Sequence, residues 1–254
     1  MKNLISLKRN LKEIIFGSLY LLCLPFNKGI RAILLYHSVN DKTRFLKQML
    51  YLKKNFYFVL VKDLEKEIKD KPRENLISLT FDDVDESIYK NALPILQDLG
   101  LKATFFIPSG FIGKYINGLF GKRPVINTQQ VRELFSLGHE IGAHTISHQM
   151  LTKIPLNEAK KEIFQSKSYL ENLIGSSLVS FAYPYGAFNK TIINLVKEAG
   201  FYYGLTIKEA LLKDKEIDWF ELPRIGIDEI VGPLQFRGRV SQSLEFYEAL
   251  RGRR

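Results

Sequence analysis

The sequence predicts a single α/β domain built on a mostly parallel sheet. Short apolar runs alternate with helical patterns along the chain, which is the order of a βαβα fold. Most of those runs lack polar alternation, as strands buried on both faces do. Several helical stretches stop at a Gly that is followed at once by the next apolar run. The 254 residues suit one domain, including an α/β barrel, which commonly needs about 250 residues. The pattern by itself leaves the sheet open or closed.

In chain order, residues 31–36 (RAILLY) read as a strand and residues 45–55 as a helix. A second helix over 63–69 precedes the strand Leu76 to Phe81. Residues 87–99 read as a helix ending at Gly100, with the strand KATFFIP over 102–108 after it. Thr128 is the expected cap of a helix through Leu137, followed by Gly138 and the strand 139–143. Asn157 is the expected cap of a helix through Ile174, ending at Gly175 before the strand 178–183. Asn189 caps a helix through Ala199, and Gly200 leads to the strand 201–206. The seventh and last strand is 221–225. No Gly-x-Gly-x-x-Gly follows any strand and no phosphate loop is present, which disfavours a nucleotide-binding fold.

Hydrophobic residues make up 46% and charged residues 25% of the chain, an ordinary soluble globular profile. Cys23 is the one cysteine, so no internal disulfide forms and compartment cannot be read from cysteine. The net charge of +10 fits an anionic membrane, an anionic substrate or nucleic acid. However, zinc-finger spacing and aromatic RNA-binding signatures are absent, so no nucleic-acid partner is expected. The basic residues gather at both ends: Lys2, Lys8, Arg9 and Lys12, then Arg251, Arg253 and Arg254.

Residues 1–30 form a separate basic and apolar helical segment ahead of the domain at 31–254. Its apolar run IIFGSLYLLCLPF (14–26) falls short of the roughly 20 residues a spanning helix needs. It has the basic start and apolar middle of a signal peptide, but no small-x-small cleavage site follows. As an interfacial helix it would place Leu4, Leu7, Leu11, Ile14, Ile15 and Leu22 on one face, interrupted by Ser18. The alternative is a helix packed on the domain's own surface. The expectation is membrane-surface or cell-envelope association, with the cytoplasmic face left open.

In such sheets, functional groups gather where strands end and loops begin. The first strand runs into His37, the second into Asp82 and Asp83, the fourth into His144 and His148. The fifth runs into Pro184, Tyr185 and Gly186, and the seventh into Arg224. Three of the four histidines therefore fall at carboxyl ends; His139 precedes its strand and reads as structural. Each residue alone has a plain reading: Asp82-Asp83 as a helix cap, His144 and His148 as loop histidines, His37 as a buried ring. Together, two imidazoles and a carboxylate form a set suited to a catalytic zinc-type ion with an open position. A second carboxylate beside that set can act as general base. His37, if cationic, can protonate a leaving nitrogen.

These residues resemble the polysaccharide deacetylases (carbohydrate esterase family 4, the NodB-homology domain). The motifs are Thr80-Phe81-Asp82-Asp83, His144-Thr145-Ile146-Ser147-His148 and Phe181-Ala182-Tyr183-Pro184-Tyr185-Gly186, in that order. Pro94-Ile95-Leu96, Ala103-Thr104-Phe105-Phe106 and Gly138-His139-Glu140-Ile141-Gly142 match as flanks. The resemblance runs from about Ile33 to about Ile227. It implies a distorted (β/α)7 barrel in which Asp83, His144 and His148 hold a divalent metal and Asp82 is the base. It further implies that the backbone near Pro184 and Tyr185 helps hold the oxyanion. Tyr36-His37 and Leu222-Pro223-Arg224-Ile225 look like the branch acting on poly-N-acetylglucosamine, in which a first-strand histidine, here His37, is the acid.

Two positions depart from the family. Val84 stands where Gly usually follows the Asp pair; because a β-branched residue resists positive φ, the turn is expected to differ or the site to shift. Phe181 or Ala182 stands where an Arg often orients the base, a role Arg224 is expected to assume by pairing with Asp82. Trp219, after Asp218, resembles the family's Asp-Trp region lining the substrate groove. The implied activity is metal-dependent removal of N-acetyl groups from N-acetylhexosamine residues of a glycan, with zinc or another first-row ion. The alternatives are deacetylation or deformylation of a polyprenyl-phosphate-linked or other lipid-linked sugar at the membrane, and an inactive carbohydrate-binding relic.

Overall fold

The computed structural model describes residues 2–23, 28–118, 121–213, 217–228, 230–250 and 252, with side chains from residue 11 onward. The basic C-terminal residues Arg251, Arg253 and Arg254, and the end of the N-terminal apolar run at 24–27, lie outside the described residues. The strands are β1 (Arg31–Tyr36), β2 (Tyr57–Phe58), β3 (Leu76–Asp82), β4 (Thr104–Ile107), β5 (Tyr115–Gly118), β6 (Gly121–Pro124), β7 (Glu140–Ala143), β8 (Ser180–Ala182), β9 (Tyr203–Leu205) and β10 (Ile225–Gly226). The helices are α1 (Lys2–Cys23), α2 (Lys42–Asn55), α3 (Leu64–Asp70), α4 (Leu93–Asp98), α5 (Thr128–Ser136), α6 (Leu156–Ile174), α7 (Lys190–Glu198), α8 (Pro233–Arg239) and α9 (Ser243–Leu250).

The main sheet is parallel and runs β10-β1-β3-β4-β7-β8-β9, with β2 added beside the start of β3. Its two ends meet: Leu205 of β9 bridges Leu222 in parallel, just before β10, which pairs with β1. The result is the distorted (β/α)7 barrel with helices around it. Each of the seven expected apolar runs contributes one strand of this ring. The last splits its pairing, Leu222 to β9 and Ile225 to β1, so that only Ile225–Gly226 is regular strand.

Side-chain alternation sorts the strands into two faces. Ile77, Leu79 and Phe81 of β3, Phe105 and Ile107 of β4, and Ile141 and Ala143 of β7 belong to the large core shared with the helices. The opposite parity carries Thr80 and Asp82, Thr104 and Phe106, and Glu140 and Gly142, all buried inside the curl or backed by a second cluster around Ile33, Leu76 and Leu205. Both faces are covered, which explains why these strands read as apolar runs. At the amino ends of the strands the buried Glu140 carboxylate accepts from Ser180 Oγ (2.5 Å), Thr104 Oγ1 (2.8 Å) and the Lys62 N–H (3.0 Å). Burial raises its pKa and these donors counter the shift. Gly142 is required one step higher, because a Cβ there would collide with the Phe106 ring.

Several local expectations change. Asn127, not Thr128, caps α5, in a reciprocal capping box with Gln130. Asn157 does not cap α6: the helix begins at Leu156 after Pro155, which places Asn157 inside its first turn. Asn189 caps α7 as expected, accepting from the Ile192 N–H at 2.9 Å. The helix expected over 87–99 opens as a π-helical turn, Ile88–Ala92, before α4. Pro94 has no N–H for an i→i−4 bond, and a wider turn accommodates it. The antiparallel hairpin β5–β6 and helices α8 and α9 were not expected.

Helix α1 packs on α8 and α9. Phe16 is buried, with its ring 4.4 Å from that of Tyr247. The Glu13 carboxylate accepts the first N–H groups of α8, from Leu234 at 2.7 Å and Gln235 at 3.1 Å, where an anion is favoured. Packing on the domain surface therefore holds for one face of α1. No helix among the described residues is long and apolar enough to cross a membrane.

His139 sits at the amino end of β7, its Nδ1 accepting from the Ala103 N–H at 3.2 Å and its ring 5.2 Å from Phe105. Its buried Nε2 has no hydrogen-bond partner among the described residues. Burial first, then Lys102, hold its pKa down to about 4. An imidazole in the unfolded chain titrates near ~6.5, so the unfolded state binds more protons between those values. Stability is therefore expected to fall as pH drops from about 6.5 to about 4, by up to about 3 kcal/mol from this group. Urea unfolding of wild type and His139→Asn across that range checks it. The variant, whose amide oxygen can still accept from Ala103, should show the shallower pH slope.

Candidate active site

All the expected residues except Trp219 converge at the carboxyl ends of the strands. β3 ends in Asp82, β7 runs directly into His144, and His148 follows in the β7–α6 loop. That loop is held by a residue the sequence reading missed. Glu162 of α6 accepts from the N–H groups of Ile146 and Ser147, both at 2.8 Å, and from Ser147 Oγ at 2.6 Å. A carboxylate at a helical position carries no sequence signal of this, since most such residues face solvent.

Among the described residues, five non-glycine residues have positive φ, and all lie in these loops: Asp83 (61°), Val84 (40°), Thr145 (64°), His148 (54°) and Tyr185 (58°). Such conformations cost on the order of 1–3 kcal/mol each and persist only where packing over-determines them. Val84 takes the positive φ that a β-branched residue was expected to resist. Val84 is fully buried, and its carbonyl accepts from the Ile126 N–H at 3.2 Å. Packing thus holds in Val the left-handed backbone that Gly would adopt freely.

The Asp83 Oδ1 lies 3.3 Å from His148 Nε2 and 3.9 Å from His144 Nε2, and the two imidazole nitrogens are 3.1 Å apart. His144 Nδ1 is 2.7 Å from the Ala182 carbonyl, which can only accept. The proton therefore sits on Nδ1, and Nε2 presents a lone pair toward Asp83 and His148. Burial first, then His144, lower the His148 pKa to about 4, which leaves its ring neutral as a ligand must be. Asp83 Oδ1 is buried without a hydrogen-bond partner among the described residues. A tetrahedron with metal–ligand bonds near 2.0–2.1 Å has edges of about 3.3 Å; two of the three separations, 3.1 and 3.3 Å, are close to that and the third, 3.9 Å, is longer. The three residues, with ligand atoms all within 4.8 Å of one another, fit a divalent ion.

Beside them, Asp82 makes a two-pronged pair with Arg224: Nη1 to Oδ1 and Nη2 to Oδ2, both at 2.7 Å. Arg224 Nε donates to the Thr206 carbonyl at 2.8 Å, and the guanidinium lies over the Phe106 ring. Burial would raise the Asp82 carboxyl, but Arg224, His144 and His37 outweigh it and bring it down to about 2. Asp82 Oδ2 is 3.8 Å from His144 Nε2. Phe181 and Ala182, at the usual place of the family's arginine, are buried in β8. The guanidinium reaches the carboxylate from the opposite seam instead.

His37, at the end of β1, borders a groove of about 800 Å³ together with Ser38, Asp85, Arg123, Asp228 and Arg239. Burial lowers its pKa; Asp82 and Asp83 pull it up without overcoming that, and Arg224 and His144 add to the lowering. Tyr185, exposed, lies edge-on to His148 with ring centroids 4.8 Å apart, in the turn that begins with the buried Pro184. Trp219 corrects the expectation of a groove residue: its ring is 5.7 Å from Tyr203, in the cluster with Val61, Leu64 and Leu76 near the amino ends of the strands. The main chain puts it there, because the Trp219 carbonyl accepts from the Gly204 N–H at 2.8 Å before the segment climbs to Arg224.

Arg123, of β6, was also missed. Its Nη2 donates to Asp83 Oδ2 at 2.8 Å, and its Nη1 to Asp85 Oδ2 at 3.0 Å and the His37 carbonyl at 2.6 Å. In the sequence it is one basic residue in a polar stretch, GKRP, and nothing there distinguishes it from a solvated surface arginine.

Residues 69–204, more than half of the chain, match the sequence profile of the family described as polysaccharide deacetylase. Poly-beta-1,6-N-acetyl-D-glucosamine N-deacetylase of Staphylococcus aureus is 30% identical over 193 residues, 72% of this chain and 60% of that protein. The chain thus spans about 60% of the length of that relative. Among solved structures, IcaB from Ammonifex degensii superposes with a TM-score of 0.72 at 22% identity, covering 84% of this chain and 99% of that one. The Streptococcus pyogenes deacetylase PplD, solved in complex with acetate, gives 0.69 at 23% identity, over 79% and 93%. At those identities the likeness concerns the fold. By the profile match, the motifs and the barrel together, this chain belongs to the polysaccharide deacetylase family, hydrolases acting on carbon–nitrogen bonds other than peptide bonds.

Proposed function

We propose that the protein hydrolyses the N-acetyl group of N-acetylhexosamine residues in a glycan, releasing acetate and leaving the free amine. The observation that carries this reading is the juxtaposition of Asp83, His144 and His148 with a separate carboxylate, Asp82, held by Arg224. A poly-N-acetylglucosamine type of substrate is supported by the S. aureus relative, whose name states that activity.

When bound by Asp83, His144 and His148, a divalent ion, zinc or another first-row metal, supplies Lewis acidity and lowers the pKa of a water molecule. Asp82 accepts the proton of the attacking water, and Arg224 keeps its oxygens aimed at the site. The backbone N–H at Tyr185 donates to the carbonyl oxygen as charge develops there. His37 protonates the departing nitrogen, since an amine anion is too basic to leave; burial lowers the pKa of its ring, and Asp82 and Asp83 offset part of that lowering.

A second reading, membrane-surface association and a lipid-linked saccharide substrate, is favoured by α1. On the face turned away from α8 and α9, Leu11 (56%), Ile14 (64%), Leu21 (65%) and Leu22 (71%) are exposed. Lys12 adds positive charge, whereas Glu13 is engaged with α8. Such a helix can lie in the headgroup region of an anionic bilayer, which would put the enzyme at the cell envelope or on the cytoplasmic face.

Zinc added to the metal-free protein at about 100 times its Kd should stabilise it by about 2.7 kcal/mol, read as a higher Tm, and Asp83→Ala should abolish the rise. Asp82→Asn and His37→Gln should each lower kcat for acetate release from N-acetylated oligosaccharides by about 10²–10⁴-fold. Wild-type turnover in Asp82→Asn would refute the assigned base. Wild-type protein should sediment with anionic vesicles and less with neutral ones. Replacing Leu11, Ile14, Leu21 and Leu22 by Ser should leave it in the supernatant, with acetate release from soluble oligosaccharides retained.

A further inference from the structure

We propose that Arg123 is a positioning residue for the metal centre: it makes Asp83 a one-oxygen ligand and ties that ligand to the strand end that carries His37. The proposal rests on the reading of Asp83, His144 and His148 as metal ligands. A carboxylate can offer an ion either oxygen or both. Here Arg123 Nη2 occupies Oδ2 at 2.8 Å, and Oδ1 alone faces His148 Nε2 at 3.3 Å. Among the described residues the buried Oδ1 has no hydrogen-bond partner, a costly arrangement unless something else takes up its lone pairs.

The other arm explains why the residue is an arginine. Nη1 reaches the main-chain carbonyl of His37 at 2.6 Å and Asp85 Oδ2 at 3.0 Å. One rigid fork therefore spans β1, the loop after β3 and the β5–β6 hairpin that supplies it. Asp85 is fixed independently, its Oδ1 accepting from the Ser87 N–H at 2.9 Å and Ser87 Oγ at 2.5 Å. Asp83 and Asp85 are both buried, and without the guanidinium two like charges would face each other there. A lysine could hold Asp83 Oδ2 as a point donor, but it could not reach the His37 carbonyl in the same fixed geometry.

The test measures zinc affinity by competition with a chromophoric chelator, kcat and KM for acetate release, and the Tm of the metal-free protein. It compares wild type, Arg123→Ala, Arg123→Lys, Asp83→Ala and Lys122→Ala, the last an exposed hairpin residue outside the cluster. Arg123→Ala should lose about 10–100-fold in zinc affinity, the range for removing a group that orients a ligand. Arg123→Lys should recover affinity more fully than kcat, because the link to His37 stays broken. Lys122→Ala should match wild type. If Arg123→Ala lowers only the metal-free Tm, or if its zinc affinity equals or exceeds wild type, the positioning role is overturned. Where Arg123→Ala does not fold, Arg123→Lys decides: equal affinity and equal kcat to wild type overturn the proposal. If Asp83→Ala binds zinc as wild type does, the metal reading itself fails; if Asp83→Ala loses zinc and Arg123→Ala does not, only the role of Arg123 fails.

Discussion

A guanidinium with no exposure to water sits at the centre of this barrel. Stripping Arg224 and Asp82 of solvent costs several kcal/mol per ion, and only near-ideal geometry with each guanidinium nitrogen hydrogen-bonded can offset that. The structure supplies it: two contacts of 2.7 Å to Asp82, a third to the Thr206 carbonyl, and the Phe106 face beneath. Arg224 lies between Leu222, which bridges β9, and Ile225, which pairs with β1. The arginine that orients this carboxylate beside the candidate metal ligands therefore lies in the segment whose backbone closes the seam of the barrel. Removing either partner leaves an uncompensated charge in the interior, so stability and site geometry are linked at this pair.

The interior above and below that pair follows from strand alternation. Outward parity gives the Phe, Leu and Ile contacts with the helices; inward parity gives a column that begins at Glu140 and Ser180 and ends at Asp82 and His144. Gly142 leaves room for the Phe106 ring, and the ring carries Arg224. The loops that cap the column hold the positive-φ residues. Their strain is offset by contacts from outside the barrel strands: Glu162 on the His144–His148 loop, Ile126 on Val84, and Arg123 on Asp83 and His37. The hairpin and α6 thus belong to the site as much as the strand ends do.

The seven ring strands were legible because each is covered on both faces and so reads as an unbroken apolar run. The candidate ligands were legible because strand ends in such folds collect function. Val84 shows where local propensity misleads, since the surrounding core imposes a backbone the residue does not prefer. Trp219 shows the opposite fault: a matching dipeptide whose backbone bond to Gly204 places the ring near the other end of the barrel. The β5–β6 hairpin was invisible because YING and GKRP show neither apolar alternation nor a core-facing run. α1 was legible as a helix, but which of its apolar faces packs was settled by α8 and α9.

By itself the sequence determined the order of the seven ring strands and of the helices between them, and the types of side chain standing where those strands stop. Those properties depend on periods of two or about four residues and on caps a few positions away. Only the tertiary structure decided which oxygen of Asp83 turns to the histidines, how the two nitrogens of Arg224 meet the two oxygens of Asp82 across 142 positions of sequence, and that Arg123 joins Asp83 to His37. These pairings exist because the curled sheet brings distant segments to one end, and the cost of burying a charge allows only the partners found there.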